Sequence, residues 1–440
     1  MNWLTIKRSF SGGVHLNDFK KQTESQAIKV LNPAGRVVIP LYQHFGAPAE
    51  PIVKKGEEVK LGQKIGEAKA RFSAPVHSSV SGKVLAVDYY NHPNGQLALS
   101  IIIENDGQDI PYQEMESVND PFSLTSEEIR QRVKEAGVVG LGGAAFPTSI
   151  KITPPENRPI DTIVINGCEC EPFLNADNRL MIEYPEDILK GGELVRIATG
   201  AKKIIVGIED NKPDAIQIME AHARDFPLAE VVPLKTKYPQ GAEKNLIQAI
   251  LKRKVPAGGL PFDVGVVVQN VATAKAIWDA VSKGKPLYER VVTVTGPGII
   301  QPKNVLVRVG TLFQEVIDFC GGLKEEIKIV IMGGPMMGLA QWSLDVPVIK
   351  ATSGIIALTS LPSIQEMTCI RCGRCVEHCP MGLVPTQLMK YTKFEKFSAA
   401  EKWGILNCVE CGCCEYVCPA NIPLVHWIRT GKAKVSLLRS

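Results

Sequence analysis

Between residues 160 and 285 the chain alternates two hydrophobic rhythms. "DTIVING", "AKKIIVGIED", "AEVVPL" and "FDVGVVVQN" are short, apolar and β-branched, which predicts strands buried on both faces. "PEDILKGGELVRIATG", "KPDAIQIMEAHARD", "GAEKNLIQAILKRK" and "ATAKAIWDAVSKGK" carry helical spacing between and after them. That alternation predicts a parallel sheet with helices on both sides, an α/β domain spanning residues 120–285. Ligands meet such sheets at the carboxyl ends of the strands. Those ends read "NGCECEP" after the first strand, "KYPQGAEKN" after the third and "QNVAT" after the fourth. Polar residues and glycines gather there, as a cofactor cleft requires.

The flanking regions keep other rhythms. From Pro51 to Tyr90 short strand-like pieces alternate with glycine turns, and "LSIIIENDG" follows. This pattern looks like the flattened barrel-sandwich of biotinyl and lipoyl carriers, over residues 1–115. Lys69 in "GEAKARF" stands roughly where a carrier lysine would, but no partner chemistry accompanies it. It is read as a surface lysine and the module as structural or docking. In residues 288–345, "ERVVTVTGPGIIQPKNVLVRVGTLFQEVIDFCGGL" supplies two strands, a Pro/Gly turn and a helix, the elements of a β-grasp. "IVIMGGPMMGLA" closes that unit, and Cys320 reads as a small buried hydrophobe.

Composition narrows the class. A chain of 440 residues, 45% hydrophobic, is too long for one core. With 22% charged residues, a net charge of +4 and no long basic tract, it gives no reason to invoke nucleic acid. The start, "MNWLTIKRSFSGGVH", lacks the apolar core of a leader, and no stretch reaches ~18 uninterrupted apolar residues. A soluble or membrane-peripheral protein is expected. The basic end "WIRTGKAKVSLLRS" reads as a solvated tail, with contact to a membrane or partner as the alternative.

Twelve cysteines decide the chemistry. "CIRCGRCVEHCP" and "CVECGCCEYVCP" both read C-x2-C-x2-C-x3-C-P, the bacterial ferredoxin spacing, within residues 360–430. Three closely spaced thiolates wrap one cubane, and the fourth, set back by the longer spacer and proline, reaches the neighbouring one. One 4Fe-4S cluster is then assigned to Cys369, Cys372, Cys375 and Cys418, and a second to Cys408, Cys411, Cys414 and Cys379. Zinc would want two separated pairs and four ligands in all, which two full quartets do not match. The insert between the runs reads as two short helices, and Cys413 as a spare packed thiol.

Before the parallel sheet lies "VVGLGGAAFPT", after a helix opened by the capping box Thr125-x-x-Glu128. Gly140-x-Gly142-x-x-Ala145 has dinucleotide-fingerprint spacing but does not follow a strand. Gly140, Gly142 and Gly143 would let backbone N–H groups approach a phosphate or a flat ring. Lys151 follows closely enough to neutralise phosphate, and Phe146 could stack on a ring.

"FSGGVH", the carrier-like barrel, "GLGGAAFPT", "NGCECEP", the β-grasp and the paired cysteine runs together resemble the C subunit of the Rnf electron-transport complex. The middle is similar to the FMN- and NADH-binding subunit of respiratory complex I. The resemblance implies a Rossmann-like flavin domain, an SLBB-like β-grasp, and non-covalent FMN and NAD(H) in the cleft. It carries Asn166, Glu169 and Glu171 from "NGCECEPF", Tyr238 and Glu243 from "YPQGAE", and Asn270 from "QNVAT" into the cofactor site. Phe146 and Glu171 would position the nicotinamide nucleotide. Where those relatives carry an arginine, a flavin-side aspartate and a glutamate, this chain has Leu141, Cys168 and Ala242.

NADH gives two electrons as a hydride, iron–sulfur clusters accept one at a time, and a flavin does both. The resemblance therefore implies the NAD end of a ferredoxin:NAD+ oxidoreductase coupled to Na+ or H+ movement. Its partners would be a ferredoxin-like iron–sulfur subunit and integral membrane subunits, with the chain peripheral on the cytoplasmic side. No acid/base triad is expected. Two other readings share the modules: a cobalamin reductase of bacterial microcompartments, and an electron-wiring adaptor that binds no nucleotide.

Overall fold

The computed structural model describes residues 8–33, 35–112, 116–361 and 365–439. The first seven residues of the stretch read for a leader, and Ser440 of the basic end, lie outside the described residues.

The predicted strands form one parallel sheet from Thr162–Gly167, Lys203–Glu209, Ala229–Leu234 and Val266–Asn270. In space the order is third, second, first, fourth. The chain steps outward to the third strand and then returns to lay the fourth beside the first. The strand order reverses there, so a crevice opens at the carboxyl ends of the first and fourth strands. The register pairs Asn166 with Asn270 at that point.

Alternate residues of each strand feed two cores. Ile163, Ile165, Ile204, Val206 and Val267 pack with Leu194 and Ile277 of the helices Pro185–Thr199 and Val271–Lys283. Val164, Ile205, Val232 and Val268 pack on the other face with Leu246 and Ile250 of the helix Glu243–Leu251. A helix that the periodicity does not single out, Ala176–Glu183, follows "NGCECEP".

The N-terminal module is a barrel-sandwich. Arg36–Pro40, Leu97–Asn105, Gly82–Asn91 and Glu58–Val59 form one sheet, and Glu50–Pro51, Lys64–Glu67 and Val76–His77 the other. Their apolar faces share one core. Lys69 is exposed and pairs with Glu50 at 2.5 Å, as a surface lysine does.

The β-grasp joins the hairpin Glu289–Thr295/Lys303–Arg308 and the helix Phe313–Phe319 to a second hairpin, Ile329–Met332/Leu339–Gln341. Between the hairpins lies Gly354–Leu358, parallel to the first strand, so the sheet runs past residue 345. Cys320 is fully buried in this core.

The C-terminal domain repeats itself. Arg371 and Glu410 have φ of 57° and 56°, and Gly373 and Gly412 have φ of 78° and 81°, each pair at matching places in its cysteine run. Each run then enters a short helix, Arg374–Glu377 or Cys413–Tyr416. The insert forms Pro385–Lys393 and Phe397–Lys402, followed by a tight turn at Ile405–Asn407. The basic end is not a solvated tail: Leu424–Leu437 is a helix. Its Leu424, Ile428, Gly431 and Val435 make a helical apolar stripe, buried against the insert.

Candidate functional site

The glycine-rich loop crosses the mouth of the crevice. Val139 and Pro147 bridge its base, the Gly140 N–H donates to the Phe146 carbonyl at 2.9 Å, and residues 142–144 are exposed. Gly143 has φ of 116° with nothing within 4 Å of where a Cβ would stand, and at Gly142 a Cβ would meet Asn270 at 3.4 Å. The cradle is therefore left open by residues without side chains. Leu141 has the opposite role. Its side chain is buried with Ala74, Val139, Ala145 and Leu287, and its N–H donates to the Thr273 hydroxyl at 2.8 Å. Leu141 is thus a plug that ties the loop to the helix Val271–Lys283.

That helix begins at Asn270, whose Oδ1 accepts from the N–H groups of Ala272 and Thr273 at 2.8 and 3.3 Å. Its Nδ2 donates to Asp177 at 2.6 Å. Burial, reinforced by Glu169, pushes the Asp177 carboxyl above its ordinary range. Lys151 forms an ion pair with Glu243 on the rim. Asn166 fastens the crevice floor, donating to the Gly241 carbonyl at 2.8 Å and accepting from the Cys168 N–H at 3.2 Å. Phe146 meets Phe45 and Phe72 of the barrel, with ring centroids 5.7 and 6.0 Å away. The buried Gln240 amide, Gln269 Nε2 and Thr148 hydroxyl have no partner within the protein. An open backbone cradle and a rim lysine fit a flat, phosphorylated ligand.

The "NGCECEP" loop is held from beneath by two buried lysines. Lys20 Nζ donates to the carbonyls of Glu169 and Glu171, both at 3.0 Å, and to that of Leu174. Lys212 Nζ donates to the Cys168 carbonyl at 2.9 Å and pairs with Glu209 at 3.1 Å. The loop needs this support because Glu169 and Phe173 have φ of 34° and 70°, strained for residues with side chains.

Two carboxylates assigned to the cofactor are committed to backbone. Glu169 accepts from the N–H groups of Asp177 and Asn178 at 2.8 and 3.1 Å, holding the start of the helix Ala176–Glu183. Glu171 accepts from the Met336 and Met337 N–H groups, both at 3.0 Å, which pins the "GGPMMG" turn of the β-grasp. Burial raises Glu171 to about 7 even against those two donors. Tyr238 is buried among Val14, Cys170, Cys411 and Cys413, facing the cysteine domain. The structure thus gathers Gly140, Gly142, Gly143, Lys151, Asn166, Glu243 and Asn270 at the crevice, with Phe146 beside it. It turns Glu171 and Tyr238 toward the neighbouring domains. Asp177, Thr273, Lys20 and Lys212 join the site only in the structure: nothing in their local sequence marks them, and their roles arise from distant partners.

None of the twelve cysteines is in a disulfide. Cys379, Cys408, Cys411 and Cys414 line one small cavity with Leu383, Leu388 and Ile428, matching the second assigned quartet. Cys369, Cys375 and Cys418 pack together with Met389, Leu424 and Trp427, while Cys372 is exposed. The Glu410 N–H donates to Cys408 and the Leu383 N–H to Cys379, both at 3.3 Å. Burial pushes Cys408 up to about 11 and Cys414 well up. Among the described residues, no three Cys, His, Asp or Glu converge on a single ion.

Comparison with known proteins agrees with each module. Residues 133–279 match the Nuo51 FMN-binding domain, 8–108 the RnfC barrel sandwich hybrid domain, 291–340 the SLBB domain and 361–419 the 4Fe-4S dicluster domain. The fold and site define an iron–sulfur protein with an FMN-binding domain, built for electron transfer. Over 430 residues, 97% of this chain, it is 46% identical to the C subunit of the proton-translocating ferredoxin:NAD(+) oxidoreductase complex of Clostridium ljungdahlii, covering 94% of that protein. It is 44% identical over 430 residues to the C subunit of the Na(+)-translocating ferredoxin:NAD(+) oxidoreductase complex of Acetobacterium woodii, covering 97% of each chain. It is 42% identical over 435 residues to the C subunit of the ion-translocating oxidoreductase complex of Rhodobacter capsulatus, covering 97% of this chain and 83% of that one. The chain belongs to this family, the C subunits of ion-translocating oxidoreductase complexes of the Rnf type.

Proposed function

We propose that the chain is the nicotinamide end of a membrane-bound ferredoxin:NAD+ oxidoreductase, exchanging hydride with NAD(H) at the crevice and single electrons through its two cysteine quartets. Its relatives are named for that reaction, coupled to protons in one and to Na+ in another. The observation that carries the reading is one of adjacency: an open glycine cradle lies at the strand-order reversal of a domain whose Tyr238, in the loop after the third strand, packs against Cys411 and Cys413 of the cysteine domain.

FMN, when bound, supplies the conversion between a hydride and single electrons, and the clusters carry those electrons onward. Gly140, Gly142 and Gly143 offer backbone N–H groups to phosphate or ring edge. Lys151, held on the rim by Glu243, would neutralise the phosphate. Asn270, oriented by Asp177, would help hold FMN, and Asn166 keeps the floor in place. Phe146 gives the nicotinamide nucleotide a ring face. Glu169 and Glu171 contribute by shaping the loop rather than by touching ligand.

The partners in this reading are a ferredoxin-like iron–sulfur subunit and integral membrane subunits, with the chain peripheral on the cytoplasmic side. Among the described residues no helix is long and apolar enough to cross a membrane. The test is anaerobic purification, addition of FMN, and measurement of bound flavin and of NADH-driven reduction of an artificial acceptor. Bound FMN with acceptor reduction is expected; a chain that carries its iron yet takes no FMN would return the adaptor reading.

A further inference from the structure

We infer that Arg290 and Lys350 are positioning residues of the crevice: reaching out of the β-grasp domain, they fix the glycine loop from beneath, aim the Gly142 N–H at the cradle, and so set the affinity for FMN. Their role rests on the flavin reading above and adds to it a support from outside the α/β domain.

Arg290 stands on the strand Glu289–Thr295, and Lys350 just before the strand Gly354–Leu358. They are 5% and 1% exposed. Lys350 Nζ donates to the Gly137 carbonyl at 2.8 Å and to the Pro75 carbonyl of the barrel at 2.9 Å. Gly137 follows the helix Ser126–Glu135 and opens the glycine-rich stretch, at φ of 62°. A Cβ there would collide with the Pro75 carbonyl and stand 2.9 Å from Lys350 Nζ, so only glycine lets the lysine in. Further along the loop, Arg290 Nη2 donates to the Leu141 carbonyl at 3.3 Å, and its Nη1 donates to the Lys350 carbonyl. The Lys350 N–H in turn donates to Gln43 of the barrel at 3.1 Å. One guanidinium fork thus ties the loop to the residue that anchors its root.

Burial works against both charges. It pulls Lys350 down to about 7 and Arg290 down to about 10. At Arg290 the carboxylate of Asp177 opposes the loss, and Asp177 also accepts from Asn270 at 2.6 Å. The guanidinium therefore faces the group that orients Asn270. Lys350 has no ion pair with a carboxylate among the described residues, and the neighbours that feel its charge, His44 and His77, are bases. Apolar side chains stabilise a core better than buried cations do. What a cation adds is direction. A peptide unit is planar and trans, so its C=O and N–H point opposite ways. Drawing the Leu141 carbonyl down toward Arg290 turns the Gly142 N–H up, to the side from which a phosphate or ring edge would come.

The test uses the full chain in the variants Arg290→Gln and Lys350→Met, with Phe313→Leu as a control that loosens the β-grasp core away from the loop. Hydrogen exchange of the FMN-free chain follows the bonded N–H groups of Gly140, Leu141 and Thr148. These should exchange about tenfold faster in the two variants and at the wild-type rate in the control. By fluorescence titration, FMN affinity should fall about tenfold in the two variants and stay within about twofold of wild type in the control. Wild-type exchange in the loop, or an affinity loss that Phe313→Leu shares equally, overturns the inference. Arg290→Lys is the milder variant should Arg290→Gln not fold. It keeps a charge facing Asp177, but one ammonium does not span both carbonyls, so the loop should still loosen; unchanged exchange there also overturns the inference. Failure of the flavin reading looks different: the wild-type chain would take no FMN, while the exchange rates would still decide what Arg290 and Lys350 do.

Discussion

Lys20 and Lys212 turn a strained loop into a fixed one by placing two buried ammonium groups against four carbonyls. For Lys212, burial works against the charge, but Glu209 and Glu169 hold its pKa above the ordinary lysine value. Removing one member of a buried ion pair leaves the other charge uncompensated and costs about 3–5 kcal/mol. Lys212→Met should lose that much stability by chemical denaturation, and the further change Glu209→Gln should recover part of it. A loss no larger than a surface substitution's would refute the role. Glu171 yields a pH prediction. Its folded pKa of about 7 exceeds the ordinary 4.5, so between those values the folded chain holds a proton that the unfolded chain releases. This group's contribution to stability therefore falls as pH rises through that window, and Glu171→Gln should flatten the fall. An unchanged slope would show that the carboxyl titrates normally. The motif "NGCECEP" was legible as a site, but the duties of its carboxylates were not. Glu169 and Glu171 look alike in sequence, and only distant backbone N–H groups decide that one holds a helix start and the other a β-grasp turn.

The element that matters most is the helix Val271–Lys283, because its first turn carries Asn270 and Thr273 into the crevice. Asn270→Ala removes an N-cap and should cost about 1 kcal/mol of stability, with a larger proportional loss in FMN affinity by fluorescence titration. The same helix lies backbone to backbone on Pro185–Thr199. A Cβ at Gly191 would collide with the Ala274 carbonyl. Gly191→Val should force the helices apart, destabilise the domain by about 1–3 kcal/mol and weaken FMN binding together with it. Full FMN affinity in that variant would mean that the crevice does not depend on this packing. These strands and helices were legible because two-faced burial makes each strand a continuous apolar run, while one-sided packing gives the helices a period of 3.6. Ala176–Glu183 was not, because its short polar run "ADNR" shows little periodicity and its start is held by a carboxylate from outside the helix. In the C-terminal helix the basic residues mask the narrow stripe that packs.

At the scale of the whole molecule, the cysteine spacing lets the quartets be assigned without a structure, since the longer spacer and proline set the fourth cysteine of each run back toward the other cluster. What spacing does not reveal is which quartet meets the crevice domain. That depends on contacts spanning most of the chain: Gly12 with Cys379, Tyr238 with Cys413, and Met336 between Glu171 and Gly412. "FSGGVH" was legible only as a signature. Its physical meaning is the close approach to Cys379, where Gly12, at φ of 75°, leaves no room for a side chain. All of these contacts serve one proposed task, the division of a hydride into single electrons. The most direct measurement is an anaerobic NADH titration of the iron-loaded chain, with and without FMN, followed by EPR of the clusters. With FMN, cluster signals should grow as NADH is added, and without FMN they should stay absent until dithionite is supplied. Clusters that NADH reduces equally well without flavin, or that stay oxidised with it, would contradict the account.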